Sequence, residues 1–309
     1  MQFFPIYACN FACKYCHFSI PRPVRPCLSK RRKLPLELFK KCIDDMSGFA
    51  ARAKTLRFVG MGEPLMHGDI ARMVEYAKKA NVANTVEIVS NGSLLTPELS
   101  DALIAAGLDR LVVSLQGITA EKYREITGVR LDFSGFLDKL RYFFATKKNT
   151  HVYLKIVDCA LDSPQEEEVF FNLFGQFCDS INIEHTVPIF PGVPFNEQLK
   201  NGPMVSQFGL DVEYTSVCPQ PFYFMQVNPD GRIVGCQSTP FPEYLGNAEE
   251  ESLTAIWNGE QFHSFRLRML QGRETVCTLC KECNIMNLRM FPEDRLDAHA
   301  EILSKRYQR

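Results

Sequence analysis

The sequence lacks any apolar run long enough to span a bilayer, which excludes a transmembrane helix. Its amino-terminal stretch lacks the unbroken apolar core of a signal peptide, because Pro5 and Cys9 interrupt it. A cytoplasmic location with no membrane partner is therefore expected. Net charge is nearly absent too, −1 over 309 residues, so no global field argues for nucleic acid as a partner. Cysteine, by contrast, is plentiful. Twelve cysteines with no export signal point to a reducing compartment and metal ligation, not to a disulfide framework. The 46% apolar fraction allows a sizeable core, in one large domain and one small one.

Cys9, Cys13 and Cys16 fall within eight residues, just after a strand-like apolar opening at 3–7. A bridge inside so short a loop would be strained, so a shared metal centre is expected. A zinc ion would recruit a fourth ligand, with Cys27 and His17 as candidates. An iron–sulfur cube on three thiolates would instead leave one iron open.

Beyond this loop, apolar periodicity alternates between the two regular forms. Strands are expected at 55–59, 85–89, 111–115, 152–157 and 181–184, and helices at 36–49, 67–80, 97–106 and 164–177. Thr96 before Pro97 is a favourable helix start. The alternation predicts an α/β fold, a partial (β/α)6 TIM-type barrel, with six units too few to close eight strands. Its functional residues should gather where the strands end and the βα loops begin. The barrel is expected over 1–190, a Pro/Gly-rich linker over 191–217, a small α+β cysteine-rich domain over 218–290 and a helical tail over 291–309. The basic, Pro-containing stretch 22–33 reads as a solvated loop or as a contact for an anionic substrate or electron donor.

Three more motifs fall at strand ends: Gly60-Met61-Gly62-Glu63-Pro64, Ser90-Asn91-Gly92 and Ser114-Leu115-Gln116-Gly117. With the spacing Cys9-x3-Cys13-x2-Cys16 and Tyr15 before the last cysteine, they resemble the radical S-adenosylmethionine (radical SAM) superfamily. The resemblance implies a [4Fe–4S] cluster on those three cysteines. It also implies SAM held by Tyr15, by Gly60, Gly62, Glu63 and Pro64 (amino group), by Ser90 and Asn91 (ribose), and by Ser114 and Gln116. Met61 and Gln116 depart from the usual glycine and aspartate. Thr127 stands where many relatives carry an arginine for the SAM carboxylate, so Arg124 or Arg130 is expected to serve.

The carboxy-terminal pattern differs. Cys218-x17-Cys236 encloses an expected strand at 222–227, an Asn228-Pro229-Asp230-Gly231 turn and a return strand, which together form a hairpin. Leu245-Gly246-Asn247, a Trp257 helix and Cys277-x2-Cys280-x2-Cys283 follow. From spacing alone zinc and iron–sulfur are equally plausible. The order resembles the SPASM module of radical SAM enzymes, which implies one auxiliary [4Fe–4S] cluster on Cys218, Cys236 and two of Cys277, Cys280 and Cys283.

The resemblance implies reductive cleavage of SAM to a 5′-deoxyadenosyl radical, which abstracts hydrogen from an inert carbon, with a flavodoxin or ferredoxin as electron donor. Peptide-modifying relatives often carry an added amino-terminal domain, and with Cys9 so early in the sequence none is expected. A small sugar, nucleotide-sugar or aminocyclitol, oxidised from alcohol to ketone, is therefore expected. A base must then take the hydroxyl proton; Lys155, Asp158, Glu184 and His185 stand at strand ends. Epimerisation with Cys159 or the spare carboxy-terminal cysteine as hydrogen-atom donor is the second reading. Peptide modification and a non-enzymatic zinc scaffold are the others.

Overall fold

The computed structural model describes residues 1–16, 18–19, 29–189 and 205–308. His17, Cys27, most of the basic stretch and most of the expected linker lie outside them. Six parallel strands alternate with helices: β1 (Gln2–Phe3), α1 (Leu36–Met46), β2 (Ala53–Phe58), α2 (Ile70–Ala80), β3 (Ala83–Ser90) and α3 (Pro97–Ala105). The series continues with β4 (Arg110–Leu115), α4 (Ala120–Thr127), α5 (Phe133–Thr146), β5 (His151–Val157), α6 (Pro164–Phe174) and β6 (Ser180–Glu184). Side-chain caps start several of these helices: Thr96, Thr119, Asp132 and Ser163 each accept a backbone N–H three residues on.

The sheet runs β6-β5-β4-β3-β2-β1 and stays open. Beyond β1 it continues into a carboxy-terminal hairpin, β7 (Gln226–Val227) and β8 (Ile233–Val234), in which β7 pairs parallel to β1. The first strand is therefore interior to the sheet. It is shorter than the expected 3–7, because Phe4 N–H still bonds Val227 but the chain then leaves the ladder toward the cysteine loop. The single strand expected at 222–227 is corrected. Gln220–Tyr223 forms a helical turn, α7, and pairing begins only at Gln226. Pro219 and Pro221 fix φ near the helical value and remove two ladder donors, which favours the turn. The remaining elements are α8 (Leu253–Asn258), α9 (Glu260–Leu270), α10 (Thr278–Glu282), α11 (Ile285–Leu288) and α12 (Ala300–Tyr307).

Strand alternation sorts the side chains. Leu56, Phe58, Val86, Ile88, Leu111, Val113, Val152, Leu154 and Ile156 join the buried core under the helices. The alternate positions face the inside of the curl and are mostly polar, with Val89, Val112 and Val157 as exceptions. Glu87, 1% exposed, accepts from Arg57 and from Arg110 (3.2 Å) on the two flanking strands. Arg110 also lies over the Tyr153 ring at 5.1 Å. At the first strand, Gln2 donates to Gln226 at 3.0 Å. Among the described residues, no helix is long and apolar enough to cross a membrane.

Because one buried carboxylate separates two guanidinium groups, Glu87→Ala leaves like charges facing each other. Both arginines keep partial solvent access, so we expect a loss of about 1–3 kcal/mol in urea unfolding.

Candidate active site

The cysteine loop is pinned from three sides. Glu63 N–H donates to Ala8 O (2.8 Å), Ala12 and Lys14 N–H donate to Thr127 and Ile126 carbonyls at the end of α4, and Asn10 bonds Ser93 and Asn91. The approach of the β2 loop is close. A Cβ on Gly62 would meet Ile6 O at 2.1 Å and Ala8 O at 2.8 Å, and one on Gly60 would strike the Phe4 ring at 2.3 Å. Backbone packing requires the glycine at 62, and a left-handed φ of 142° together with the Phe4 ring requires the one at 60. Met61 is buried with Phe4, Tyr7, Val234 and Phe241, so its bulk fills a contact with the carboxy-terminal hairpin.

Burial pushes the Cys9 thiol up to about 11 and raises Cys13 and Cys16 as well; the neighbouring thiols add to the shift at Cys9 and Cys13. Such a trio ionises readily only when a cationic centre shares the charge, which fits an iron–sulfur cluster. Tyr15 donates its hydroxyl to Gln116, whose amide donates to Ser114 O at 3.0 Å. The glutamine at the usual aspartate position thus clamps the aromatic ring beside Cys16.

Glu63 is 2% exposed and accepts from Ser90 Oγ (2.6 Å), Asn91 N–H (2.7 Å) and Leu65 N–H (2.9 Å). Burial raises its pKa, and none of these partners is a cation. A buried carboxylate without a cationic partner suits an ammonium ligand, as the amino group of SAM provides. Pro64 opens a short 3-10 turn behind it. Asn91 also accepts from Ser93 Oγ (2.6 Å), so Ser90 and Asn91 already organise the loop. Thr127 is fully buried and donates to Tyr123 O at 2.7 Å, whereas Arg124 and Arg130 are exposed. Sequence reasoning had no signal for the buried threonine's part in holding the cysteine loop.

Further inside the curl, Lys155 donates to Glu184 (2.6 Å), and Gln207 donates to the same carboxylate oxygen (2.6 Å). His185 is next along β6 and lies on the other side of the strand, where its Nδ1 is 3.1 Å from Asp158 and its Nε2 is close to Gly209. The structure therefore brings Lys155 and Glu184 together and separates them from His185. Cys159 lies within electrostatic reach of Cys13 and Tyr15.

The second thiol group surrounds a cavity lined by Cys218, Cys236, Cys280 and Cys283 against apolar Phe265, Met269 and Ile285. Cys277 is absent from that lining; its sulfur accepts from Cys280 N–H at 3.4 Å and caps α10. Burial raises the thiols of Cys218, Cys236, Cys280 and Cys283 alike. Among the described residues no three His, Cys, Asp or Glu side chains converge on a single-ion site. A cube needs no such point, since each thiolate binds a different iron.

Residues 3–157 match the Radical SAM superfamily, and residues 218–284 match the SPASM iron–sulfur cluster-binding domain. The chain belongs to the radical SAM superfamily. Its cofactors are accordingly SAM, a [4Fe–4S] cluster and auxiliary iron–sulfur chemistry in the SPASM domain. Among curated relatives, the GTP 3′,8-cyclase of Chlorobaculum tepidum is 38% identical over 120 residues, 39% of this chain and 33% of that protein. The match thus spans about a third of the cyclase. The tungsten-containing aldehyde ferredoxin oxidoreductase cofactor-modifying protein of Pyrococcus furiosus is 23% identical over 88% of this chain and 84% of its own. The fold resembles BtrN in complex with AdoMet and 2-DOIA (TM-score 0.56, 19% identity, 94% of each chain). It also resembles anSMEcpe with bound AdoMet and Kp18Cys peptide (TM-score 0.61, 13% identity, 99% of this chain and 96% of that one).

The cavity lining sets an expectation for the spare cysteine. Reconstituted Cys277→Ser should keep its full iron content, whereas Cys280→Ser should lose the auxiliary cluster, about half of the iron, by colorimetric iron and sulfide assay.

Proposed function

We propose that this radical SAM enzyme oxidises a hydroxyl-bearing carbon of a small polyhydroxylated molecule to a ketone. In this reading Cys9, Cys13 and Cys16 hold the SAM cluster, and Cys218, Cys236, Cys280 and Cys283 hold the auxiliary cluster. Bound, the two groups supply a radical that removes one hydrogen atom and an acceptor for one electron, so the substrate must also lose one proton.

The observation that supports a proton-accepting role is the Lys155–Glu184 pair inside the curl. Gln207 links it onward: its side chain bonds Glu184, and its N–H donates to Leu288 O (2.8 Å) on α11, a helix whose Ile285 and Met286 line the second thiol cavity. The base thus sits on a hydrogen-bonded path toward the second centre. Burial lowers the Lys155 pKa, Glu184 opposes that shift, and Arg289 and Arg57 add to it. Neutral Lys155 takes the hydroxyl proton, and Glu184 orients it.

Lys155→Met should cut ketone formation by about 10²–10⁴-fold while 5′-deoxyadenosine still forms, read by mass spectrometry of both products. Since the neutral amine is the active form, turnover rises with pH. Glu184→Gln removes the influence that raises the amine's pKa, so the midpoint of the kcat/KM profile should move to lower pH. An unchanged midpoint would count against Lys155 as the base.

The nearness of Cys159 to Cys13 and Tyr15 supports a second reading, epimerisation with that thiol returning a hydrogen atom. A product of unchanged mass carrying one solvent deuterium, lost in Cys159→Ala, would select it; a product two hydrogens lighter selects oxidation.

A further inference from the structure

Arg289, just after α11, has no role in the scheme above. Its surface is open to water. Glu184 of β6 and Arg57 of β2 both act on it electrostatically. Those strands are separated by β5, β4 and β3 in the sheet, so a side chain that senses both lies inside the curl. The backbone explains how it gets there: Leu288 O is held by Gln207 N–H, and Arg289 N–H bonds Ile285 O at 2.8 Å. An exposed side chain so placed faces the open interior of the curl.

Among the described residues the Arg289 guanidinium has neither an ion pair nor a hydrogen bond, unlike its neighbours. Lys155 has Glu184, and Arg57 and Arg110 share Glu87. Among the described residues, the guanidinium groups of Arg57, Arg110 and Arg289 face Glu87 and Glu184 within the curl, which leaves a positive excess even with Lys155 neutral. An unpaired guanidinium among other cations favours an anion beside it, and its flat fork suits two oxygens of one carboxylate or phosphate. Of the other buried carboxylates among the described residues near the site, Glu63 lies beside the cysteine loop and bonds Ser90, Asn91 and Leu65, and Asp158 accepts from Thr186 and lies against His185.

We infer that the substrate carries an anionic group, a phosphate or a carboxylate, and that Arg289 binds it. This deepens the proposed function and rests on it. The small polyol is a charged one, anchored by the carboxy-terminal module while its hydroxyl-bearing carbon lies near Lys155. Arg289 thereby selects among substrates without taking part in proton transfer.

The test uses the holoenzyme reconstituted with both clusters. UDP, D-gluconate and neutral myo-inositol serve as probes in equilibrium binding, with SAM binding measured alongside. UDP or gluconate should bind more tightly than inositol, and Arg289→Gln should weaken the anionic probe by about 10- to 100-fold, leaving inositol and SAM unaffected. Arg289→Lys should restore part of the loss. Preference for UDP identifies a phosphate, and preference for gluconate a carboxylate. Wild-type protein that binds no anion better than inositol, or a variant that binds anions undiminished, overturns the inference. So does a variant whose loss falls on SAM, since the guanidinium would then serve the cofactor's carboxylate. Reductive 5′-deoxyadenosine formation separates the two levels: its absence in wild-type protein sinks the enzymatic reading, and its presence without anion selectivity sinks only this subsite.

Discussion

The contact on which the site depends is the approach of two backbone loops at Gly62. There the chain after β2 lies so near Ile6 and Ala8 that no side chain fits, and Glu63 N–H closes the contact on Ala8 O. The same residue's carboxylate receives Ser90 and Asn91 from the β3 loop. Asn91 in turn holds Asn10 of the cysteine loop. Three strand ends are thus locked into one unit before any ligand binds, which reduces the ordering a bound cofactor would otherwise have to impose.

A second constraint is the polarity of the curl. Most parallel sheets bury apolar residues on both faces, but here the inner face carries Arg57, Glu87, Arg110, Lys155 and Glu184. Charges so placed need partners or water, and the open sheet leaves space for both. The carboxy-terminal module completes this interior instead of standing apart. It adds β7 to the sheet edge at β1, packs Val234 and Phe241 on Met61, and brings Arg289 toward Glu184.

The departures from the family pattern become intelligible only in this setting. Met61 replaces a glycine because a side chain there points into an apolar contact supplied by residues more than 170 positions later. Gln116 holds the Tyr15 hydroxyl through its amide oxygen. Thr127 is buried under the cysteine loop, whose N–H groups bond the carbonyls of Thr127 and Ile126. Each was visible in the sequence as an anomaly. None was explicable there, since the explanation is a contact between distant segments.

Local chemistry was legible from the chain alone: the strand–helix alternation through β6, the helix start at Thr96, the two cysteine groups and the βα-loop motifs. These depend on periodicity, φ preferences and thiol spacing, all carried by near neighbours in sequence. Long-range geometry decided the rest. That Lys155 meets Glu184 while His185 turns to Asp158, that Cys277 stands outside the cavity of the other four thiols, and that Arg289 reaches the interior all follow from packing. Which side chains meet depends on the curl of the sheet and the path of the returning chain, and no local residue preference encodes either.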